Sequence, residues 1–240
     1  MEPLDFSRSK ILNNVPIKKL SDQLSVIENS NDDNQTKRLK TMAITRFAES
    51  NVPVEYWHFS IDKDYVGDKS LLQIYNDYIK DVKNAYISGK SYCFAGQHGV
   101  GKTSISCSIL KKAALKGYSC LYTNLSDIVS VLTDTYGDER ASAKRELLMV
   151  DFLVIDEFDP RFMPSDNAAD LYARTLESIL RTRSQNKQPI LMCTNSPNVI
   201  ESFNGSLKAS IDSLMKGYIK MIPVFGEDFR KKKAEWVIIH

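Results

Sequence analysis

Residues 1–50 carry apolar side chains at helical spacing in two short stretches within a polar segment that is rich in Asn and Ser. The apolar positions are Leu20, Leu24 and Ile27 in the first stretch and Leu39, Met42, Ala43 and Phe47 in the second. Residues 29–34, with the sequence N-S-N-D-D-N, separate the two stretches and are typical of a loop. The pattern predicts a small helical N-terminal appendage over residues 1–50, either a hairpin or helices that order on a partner. The alternative is a frayed leader without a role.

From residue 51 onward, short continuous apolar runs alternate with longer stretches of helical periodicity. The apolar runs predict strands at 91–95, 119–123, 152–155, 189–193 and 219–224, and the periodic stretches predict helices at 71–87, 104–116, 125–135, 143–149, 167–186 and 206–216. Continuous apolar strands joined by helices are typical of a parallel sheet that is covered on both faces. The sequence therefore predicts an α/β domain over residues 51–240, with a five-stranded parallel sheet flanked by helices.

The segment between the first predicted strand and its helix, residues 96–103, reads G-Q-H-G-V-G-K-T. It matches the phosphate-loop pattern G-x-x-x-x-G-K-[ST] at every fixed position, and a preceding strand and a following helix are the context that this pattern needs. In such a loop the backbone N–H groups surround the phosphates of a nucleotide, the lysine reaches the β- and γ-phosphates, and the Thr hydroxyl binds Mg²⁺. The predicted nucleotide contacts are Gly96, Gln97, His98, Gly99, Val100, Gly101, Lys102, Thr103 and Ser104.

Polar side chains end the third and fourth predicted strands, at the edge where an α/β sheet presents its functional groups. Asp156 and Glu157 follow the apolar run F-L-V-I, and Asn195 follows the fourth strand. An acid pair at this distance after a phosphate loop indicates that Asp156 holds the Mg²⁺ bound through Thr103 and that Glu157 activates the attacking water. Lys102, Glu157 and Asn195 are the predicted catalytic residues, Thr103 and Asp156 are the predicted metal ligands, and the predicted cofactors are ATP and Mg²⁺.

These three motifs, in this order, are those of a P-loop ATPase of the AAA+ type, and further stretches of the chain resemble the DnaC/DnaI/IstB family. The stretches are V-P-V-E-Y at 52–56, D-I-V-S-V-L-T-D-T-Y at 127–136, V-D-F-L-V-I-D-E at 150–157, I-P-V-F at 222–225 and E-D-F-R at 227–230. Family members are bacterial and phage loaders of replicative helicases and transposition ATPases. The resemblance covers about residues 50–232 and implies an AAA+ fold. About 45 residues follow Asn195, which leaves room only for a reduced lid.

The resemblance implies an ATP-dependent loader that binds a hexameric replicative DNA helicase and helps to place it on single-stranded DNA during replication initiation. Residues 1–50 would contact the helicase, because the N-terminal segment does so in the family, and a homo-oligomer could form on the helicase. An IstB-type transposition ATPase and a nucleotide-bound helicase adaptor or inhibitor that does not hydrolyse ATP are the alternatives. A small-molecule P-loop kinase is disfavoured, because the acid pair positions water rather than a substrate hydroxyl.

The resemblance also suggests DNA contacts, since family members bind single-stranded DNA through the helix after the second strand and the loop after the acid pair. Tyr136 falls on an aromatic position of that helix, where a base can stack, whereas a basic position of the helix is Thr133 in this chain. The candidate DNA contacts are Tyr136, Arg140, Lys144, Arg145, Arg161 and Phe162. The alternative is that Tyr136 packs in the core and that the basic residues form a solvated face.

In AAA+ proteins, arginines of one subunit complete the nucleotide site of the neighbouring subunit. This chain has Ala209 and Ser213 at the positions where the family pattern has these arginines. Lys208, Lys216 and Arg230 are the candidate trans-acting residues, although lysine lacks the planar fork of arginine. We therefore expect a Mg²⁺-dependent ATPase whose hydrolysis is weak or stimulated by a partner.

Charge, cysteine content and hydropathy restrict the kinds of partner and the cellular compartment that we expect for this protein. The formal net charge is +2, so a nucleic-acid contact must come from a local patch. The four cysteines are scattered, which predicts buried, reduced thiols and no zinc site. No apolar run approaches the roughly 18 residues that a membrane span needs, and the N-terminus lacks a signal sequence. We therefore expect a cytoplasmic protein that does not contact membranes.

Overall fold

A computed structural model describes residues 16–163 and 169–229 of the chain. Within these residues the polypeptide forms eleven α-helices around a five-stranded sheet. The strands are β1 (Ser91–Ala95), β2 (Cys120–Asn124), β3 (Phe152–Asp156), β4 (Ile190–Thr194) and β5 (Ile219–Pro223). The helices are α1 (Ile17–Glu28), α2 (Asn34–Glu49), α3 (Ile61–Asp64), α4 (Lys69–Ile79), α5 (Val82–Ser88), α6 (Lys102–Leu115), α7 (Leu125–Asp134), α8 (Gly137–Met149), α9 (Ala169–Gln185), α10 (Val199–Ser202) and α11 (Gly205–Gly217).

The sheet is parallel throughout and has the strand order β2-β3-β4-β1-β5. Strand β1 lies between β4 and β5, so that Phe94 is beside Cys193 on one side and beside Ile222 on the other. Strands β1, β3 and β4 are buried along their whole length, as expected for strands that helices cover on both faces. The predicted five-stranded α/β architecture is confirmed, and the strand order brings the carboxyl ends of β1, β3 and β4 together.

Helix α2 packs against the sheet domain, and α1 packs against α2. Ile44, Phe47 and Ala48 of α2 belong to the same hydrophobic cluster as side chains of α6 and β1, whereas α1 has no buried residue. Asp33 caps α2, because its carboxylate accepts a hydrogen bond from the backbone N–H of Thr36 at 2.9 Å. The two predicted N-terminal helices are therefore present in the described residues. The division of the chain at residue 50 stays a prediction, since α2 shares a core with residues beyond it.

The single helix predicted over residues 71–87 is two helices in the structure. Helix α4 ends at Ile79, and Asp81 begins α5 by accepting a hydrogen bond from the backbone N–H of Asn84 at 2.9 Å. An aspartate cap satisfies a free donor at the start of a new helix, and apolar periodicity alone does not reveal such a break. Helix α8 also begins earlier than predicted, at Gly137.

Arg183 of α9 is completely buried and ties α8 to the sheet. Its guanidinium donates hydrogen bonds to backbone carbonyl oxygens at 2.8–3.3 Å, and the acceptors are Leu147, Val150, Asp151 and Pro189. These carbonyls belong to the end of α8 and to the segments that lead into β3 and β4. Burial lowers the pKa of Arg183 to about 9, which leaves the side chain charged at neutral pH.

The four cysteines lie in the buried core as free thiols, in agreement with the predicted burial. Burial raises the pKa of the Cys93 thiol to about 12, so this thiol stays protonated at neutral pH. No helix within residues 16–163 or 169–229 has the length and apolar composition that crossing a membrane requires.

Candidate functional site

The loop that joins β1 to α6 depends on its glycines. Gly99 and Gly101 have φ angles of 77° and 95°, in the left-handed region that favours glycine. Gly96 is required for a different reason, because a Cβ atom there would lie 2.1 Å from the carbonyl oxygen of Val224. Gly96 and Gly101, which the phosphate-loop pattern fixes, and Gly99 between them therefore occupy positions where a side chain would be strained or would clash.

Lys102, the first residue of α6, is buried within this loop. Its ammonium group donates hydrogen bonds to the carbonyl oxygens of Gly96 and Gln97 at 2.8 Å and 2.6 Å. It also donates to Asn195 Oδ1 at 2.9 Å. The structure thus joins the loop after β1 to the residue that follows β4, and two of the predicted catalytic residues are in contact.

Thr103 and Asp156 are also in contact, because Thr103 Oγ1 donates to Asp156 Oδ2 at 2.8 Å. The hydroxyl of Tyr122 in β2 donates to the same Oδ2 at 2.8 Å, and the backbone N–H of Glu157 donates to Oδ1 at 2.8 Å. Burial, followed by the negative charge of Asp156, raises the pKa of Tyr122. The Tyr122 hydroxyl therefore stays protonated and serves as a donor to the carboxylate.

Glu157 turns the chain sharply at the end of β3. Its φ angle is 48°, which is uncommon for a residue other than glycine. The side chain is exposed and lies on the wall of the same cavity as Lys102 and Thr103. Strained backbone positions of this kind cluster at functional sites. The geometry is compatible with the role predicted for Glu157, which stays a prediction.

A cavity of about 850 Å³ lies beside the loop and brings most of the predicted site residues together, although Gly96, Gln97 and Val100 do not line it. Its polar end is formed by His98, Gly99, Gly101, Lys102, Thr103, Ser104, Asp156, Glu157 and Asn195. Tyr56, Phe59, Tyr65 and Phe229 form an aromatic wall of the cavity, and Pro53, Glu55, Asp64, Val66 and Gly67 also line it. A cleft of this size with an apolar wall and a few convergent polar groups is typical of a site for a nucleotide-sized ligand.

Lys111 of α6 holds the aromatic wall in place. Its ammonium group donates hydrogen bonds to the carbonyl oxygens of Tyr56, Trp57 and Phe59 at 3.0 Å, 3.1 Å and 2.7 Å. Burial lowers the pKa of Lys111. Since α6 begins at Lys102, a single helix positions both the loop and the aromatic wall.

Thr103 and Asp156 offer a hydroxyl and a carboxylate oxygen, which are the hard donors that Mg²⁺ prefers. In the described part of the chain, no three or more His, Cys, Asp or Glu side chains are grouped so that they could hold a metal ion by themselves. Mg²⁺ usually binds through one or two protein groups together with substrate phosphates. The donor set therefore fits Mg²⁺ that arrives with a nucleotide.

Tyr136 does not lie on the helix after β2 as predicted, because α7 ends at Asp134 and Tyr136 directly precedes α8. Its side chain is 77% exposed, so the alternative that it packs in the core is wrong. The guanidinium of Arg140 lies 5.2 Å from the centre of the Tyr136 ring, and Arg140 Nε donates to the carbonyl oxygen of Thr135 at 2.8 Å. Arg145 is exposed and Lys144 is half-buried on the same helix, α8. An exposed ring beside basic side chains is the arrangement that stacking on a nucleic-acid base needs.

Arg161 and Phe162 lie in the turn after the acid pair, which packs against α7. The exposed guanidinium of Arg161 pairs with Asp159 at 2.9 Å, and the hydrogen bond from Arg161 lowers the pKa of Asp159. Phe162 is half-buried and packs against the hydrophobic cluster that contains β3 side chains. Arg161 is therefore the more accessible of these two candidate DNA contacts.

The candidate trans-acting lysines lie on or near the surface of α11, where each forms an ion pair. The pairs are Lys208 with Glu201 and Lys216 with Asp212. Ala209 and Ser213 are exposed on the same helix. Arg230 lies outside the described residues. The trans-acting role of these residues stays a prediction.

Tyr122 and the aromatic wall are parts of the site that the sequence does not predict. Tyr122 falls within a predicted strand, and nothing in the apolar run C-L-Y-T distinguishes a core tyrosine from one that reaches Asp156. Tyr56 and Phe229 lie within the stretches at 52–56 and 227–230, so the resemblance could have indicated them. Their position on the cavity follows from packing against α6 and the loop.

A parallel sheet with a phosphate loop after β1, an acid pair after β3 and a polar residue after β4 defines a P-loop NTPase of the AAA+ class. Residues 77–234 match the model of a family described as IstB-like ATP binding protein. This match spans more than half of the chain, and the chain therefore belongs to the IstB/DnaC-like family of ATP-binding proteins.

Among curated proteins, the replicative helicase loader DnaC of Escherichia coli (strain K12) is 32% identical over 110 residues, which are 44% of this chain and 42% of DnaC. DnaC of Shigella flexneri matches to the same extent. The chain thus spans less than half the length of the curated relatives that it matches.

Solved structures share the fold at low sequence identity. A crystal structure of DnaI has a TM-score of 0.58 at 17% identity, covering 73% of this chain and 93% of that one. A crystal structure of the DnaC helicase loader has a TM-score of 0.55 at 18% identity, covering 72% and 100%. AMPPCP-bound DnaA from Aquifex aeolicus has a TM-score of 0.56 at 15% identity, covering 79% and 57%.

Proposed function

We propose that this chain is an ATP-dependent loader that binds a hexameric replicative DNA helicase and helps to place it on single-stranded DNA. The observation that carries the proposal is the similarity to the replicative helicase loader DnaC, at 32% identity over 110 residues. The contacts of Lys102 with Asn195 and of Thr103 with Asp156 support a nucleotide site in the same chain.

The proposed reaction is hydrolysis of ATP in the cavity beside the loop. Lys102 exchanges its carbonyl acceptors for phosphate oxygens of the nucleotide, while Asn195 stays within reach of the lysine and of the attacking water. Glu157 accepts a proton from that water as it attacks the γ-phosphorus. Thr103 and Asp156 would hold a Mg²⁺ ion that arrives with the nucleotide, and this ion would supply positive charge to stabilise the leaving group.

DNA and helicase contacts are assigned to two different faces of the chain. The exposed ring of Tyr136 and the basic side chains of α8 form the proposed single-strand contact, and Arg161 is a further candidate. The proposed helicase contact is the hairpin of α1 and α2, which exposes the apolar side chains Ile17, Val26, Leu39 and Met42. Exposed apolar residues on a helix pair are suited to a protein partner.

Hydrolysis by the chain alone is expected to be weak. An arginine supplied in trans is worth about 10³–10⁵ in rate in related nucleotidases, and exposed Ala209 and Ser213 cannot supply one. Lys208, Lys216 or Arg230 of a neighbouring copy, or a residue of the helicase, would fill this role. Several copies assembled on the helicase would form the required neighbours.

A loading assay tests the proposal. The replicative helicase of the same organism is given a closed circle of single-stranded DNA with an annealed oligonucleotide, because a closed ring cannot thread onto a circle unaided. Release of the oligonucleotide that needs this chain and ATP is the expected result, and the K102A variant should remove it. Equal release with and without the chain would contradict the proposal.

A transposition ATPase of the IstB type is the second candidate, and the family model that matches residues 77–234 favours it. Such a protein assembles on duplex DNA with a transposase. ATP-dependent assembly of this chain on duplex DNA, without binding to the helicase, would select this candidate. ATP binding without turnover in the presence of helicase and DNA would instead indicate an adaptor or inhibitor.

A further inference from the structure

Tyr122 is in contact with the end of α2 through its backbone and with Asp156 through its side chain. β2 is an edge strand, so the Tyr122 backbone has one side that no strand covers. On that side its N–H donates to the carbonyl oxygen of Ser50 at 2.7 Å, and its carbonyl oxygen accepts from Asn51 Nδ2 at 3.0 Å. Its hydroxyl donates to Asp156 Oδ2 at 2.8 Å. One residue therefore joins the N-terminal hairpin to the candidate metal site.

The backbone at the end of α2 is held in an uncommon conformation for this contact. Asn51 has a φ angle of 56°, in the left-handed region, which asparagine tolerates better than most residues other than glycine. This conformation follows the last turn of α2 and places the Asn51 amide on the edge of β2. The contact thus depends on one side chain and one carbonyl group at the helix end.

The hydrogen bonds around Asp156 leave its carboxylate little freedom. Oδ2 accepts from the hydroxyls of Thr103 and Tyr122, and Oδ1 accepts from the backbone N–H of Glu157. An ionised carboxylate has about four acceptor positions, so about one remains for a metal ion or its water. Groups that hydrogen-bond to a metal-ligating carboxylate orient it, and their loss weakens metal binding.

We propose that Tyr122 is a positioning residue that orients Asp156 for Mg²⁺ and couples this carboxylate to the end of α2. A partner that moves the α1–α2 hairpin would shift the Tyr122 backbone, and the hydroxyl would move with it. Metal-dependent nucleotide binding would then respond to occupancy of the hairpin. The inference rests on the proposed Mg²⁺·ATP site and adds a connection between that site and the proposed partner surface.

The Y122F variant tests the orienting role, because it removes one hydroxyl and keeps the ring. Binding of a fluorescent ATP analogue is measured by anisotropy while Mg²⁺ is titrated, and again in EDTA. Y122F should raise the Mg²⁺ concentration for half-saturation about tenfold, which is the lower end of the loss that removal of such a partner causes. The affinity measured in EDTA should change by a much smaller factor. Y78F is the matched control, because the buried Tyr78 hydroxyl donates to the carbonyl oxygen of Lys90, away from the site. An unchanged Mg²⁺ dependence in Y122F would overturn the inference.

The N51G variant tests the connection to α2. Glycine accepts the left-handed backbone, so this variant removes the amide donor without adding strain. It should shift the Mg²⁺ dependence in the same direction as Y122F, and the double variant should behave as Y122F alone, since both changes act through one hydroxyl. Additive shifts, or no shift in N51G, would overturn the connection. Failure of the wild-type chain to bind the analogue with Mg²⁺ would instead overturn the proposed ATP site, and the inference with it.

Discussion

Lys102 and Asn195 are 93 residues apart in the chain and are joined by a hydrogen bond of 2.9 Å. The contact forms because β1 and β4 are neighbours, so the residues that follow them meet at one edge of the sheet. Thr103 and Asp156 are also in contact, at 2.8 Å, although β4 lies between β1 and β3, because α6 packs against β3. The two contacts bring the end of β3 and the residue after β4 within hydrogen-bonding distance of the start of α6.

Replacement of Lys102 by alanine should weaken ATP binding by about 10- to 150-fold, because a hydrogen bond to a charged group is worth about 1.5–3 kcal/mol. Isothermal titration calorimetry with ATP and Mg²⁺ measures the change. K112A is the matched control, since Lys112 is exposed on the same helix and does not line the cavity. Unchanged affinity in K102A would remove the phosphate-loop assignment.

Glu157→Gln should keep ATP bound and slow its hydrolysis by about 10²–10⁴-fold, which is the usual contribution of a general base. The amide preserves the size of the side chain and cannot take a proton from water. The two quantities are measured separately, as analogue affinity and as phosphate release in the presence of the helicase. Turnover at the wild-type rate would show that another group activates the water.

Tyr136→Ala should weaken binding of a single-stranded oligonucleotide by about 1–3 kcal/mol if a base stacks on the exposed ring. Fluorescence anisotropy at fixed salt measures the affinity. Tyr218 is 51% exposed at the end of α11 and supplies the control variant Y218A, which should bind as the wild type does. Equal affinities of Y136A and the wild type would move the DNA contact away from α8.

Arg183→Met should destabilise the fold by about 3 kcal/mol, because the change leaves buried carbonyl oxygens without donors. Urea unfolding followed by circular dichroism measures the loss. R181M is the control, since Arg181 lies on the same helix, is partly exposed and pairs with Glu177. A partly exposed ion pair of this kind contributes about 0–1 kcal/mol to the free energy of unfolding. Equal losses in the two variants would show that the buried contacts of Arg183 contribute no more than a surface pair.

The sheet and the polar end of the site could be predicted from the sequence, because both depend on local patterns. Continuous apolar runs indicate buried parallel strands, and the residues that follow them share one edge whatever the details of packing. The positions of Lys102, Thr103, Asp156, Glu157 and Asn195 on one cavity therefore follow from motif and fold class.

The rest of the site depends on tertiary contacts that leave no periodic signal. Tyr122 reaches Asp156 only because β2 pairs with β3, and Lys111 supports the aromatic wall only because α6 packs against residues 56–59. The break between α4 and α5 depends on one aspartate cap in a continuous apolar pattern. Such features depend on single side chains, and only the folded structure reveals them.

We propose that this chain binds a replicative helicase through its α1–α2 hairpin in the presence of nucleotide. Native mass spectrometry of the chain mixed with the hexameric helicase of the same organism, ATP and Mg²⁺ measures this binding. The expected spectrum contains helicase hexamers that carry several copies of the chain. The complex should be lost in the double variant L39D/M42D, which alters exposed positions of α2, and kept in L115D, which alters an exposed position of α6. Separate masses for the chain and the helicase under every nucleotide condition would contradict the claim.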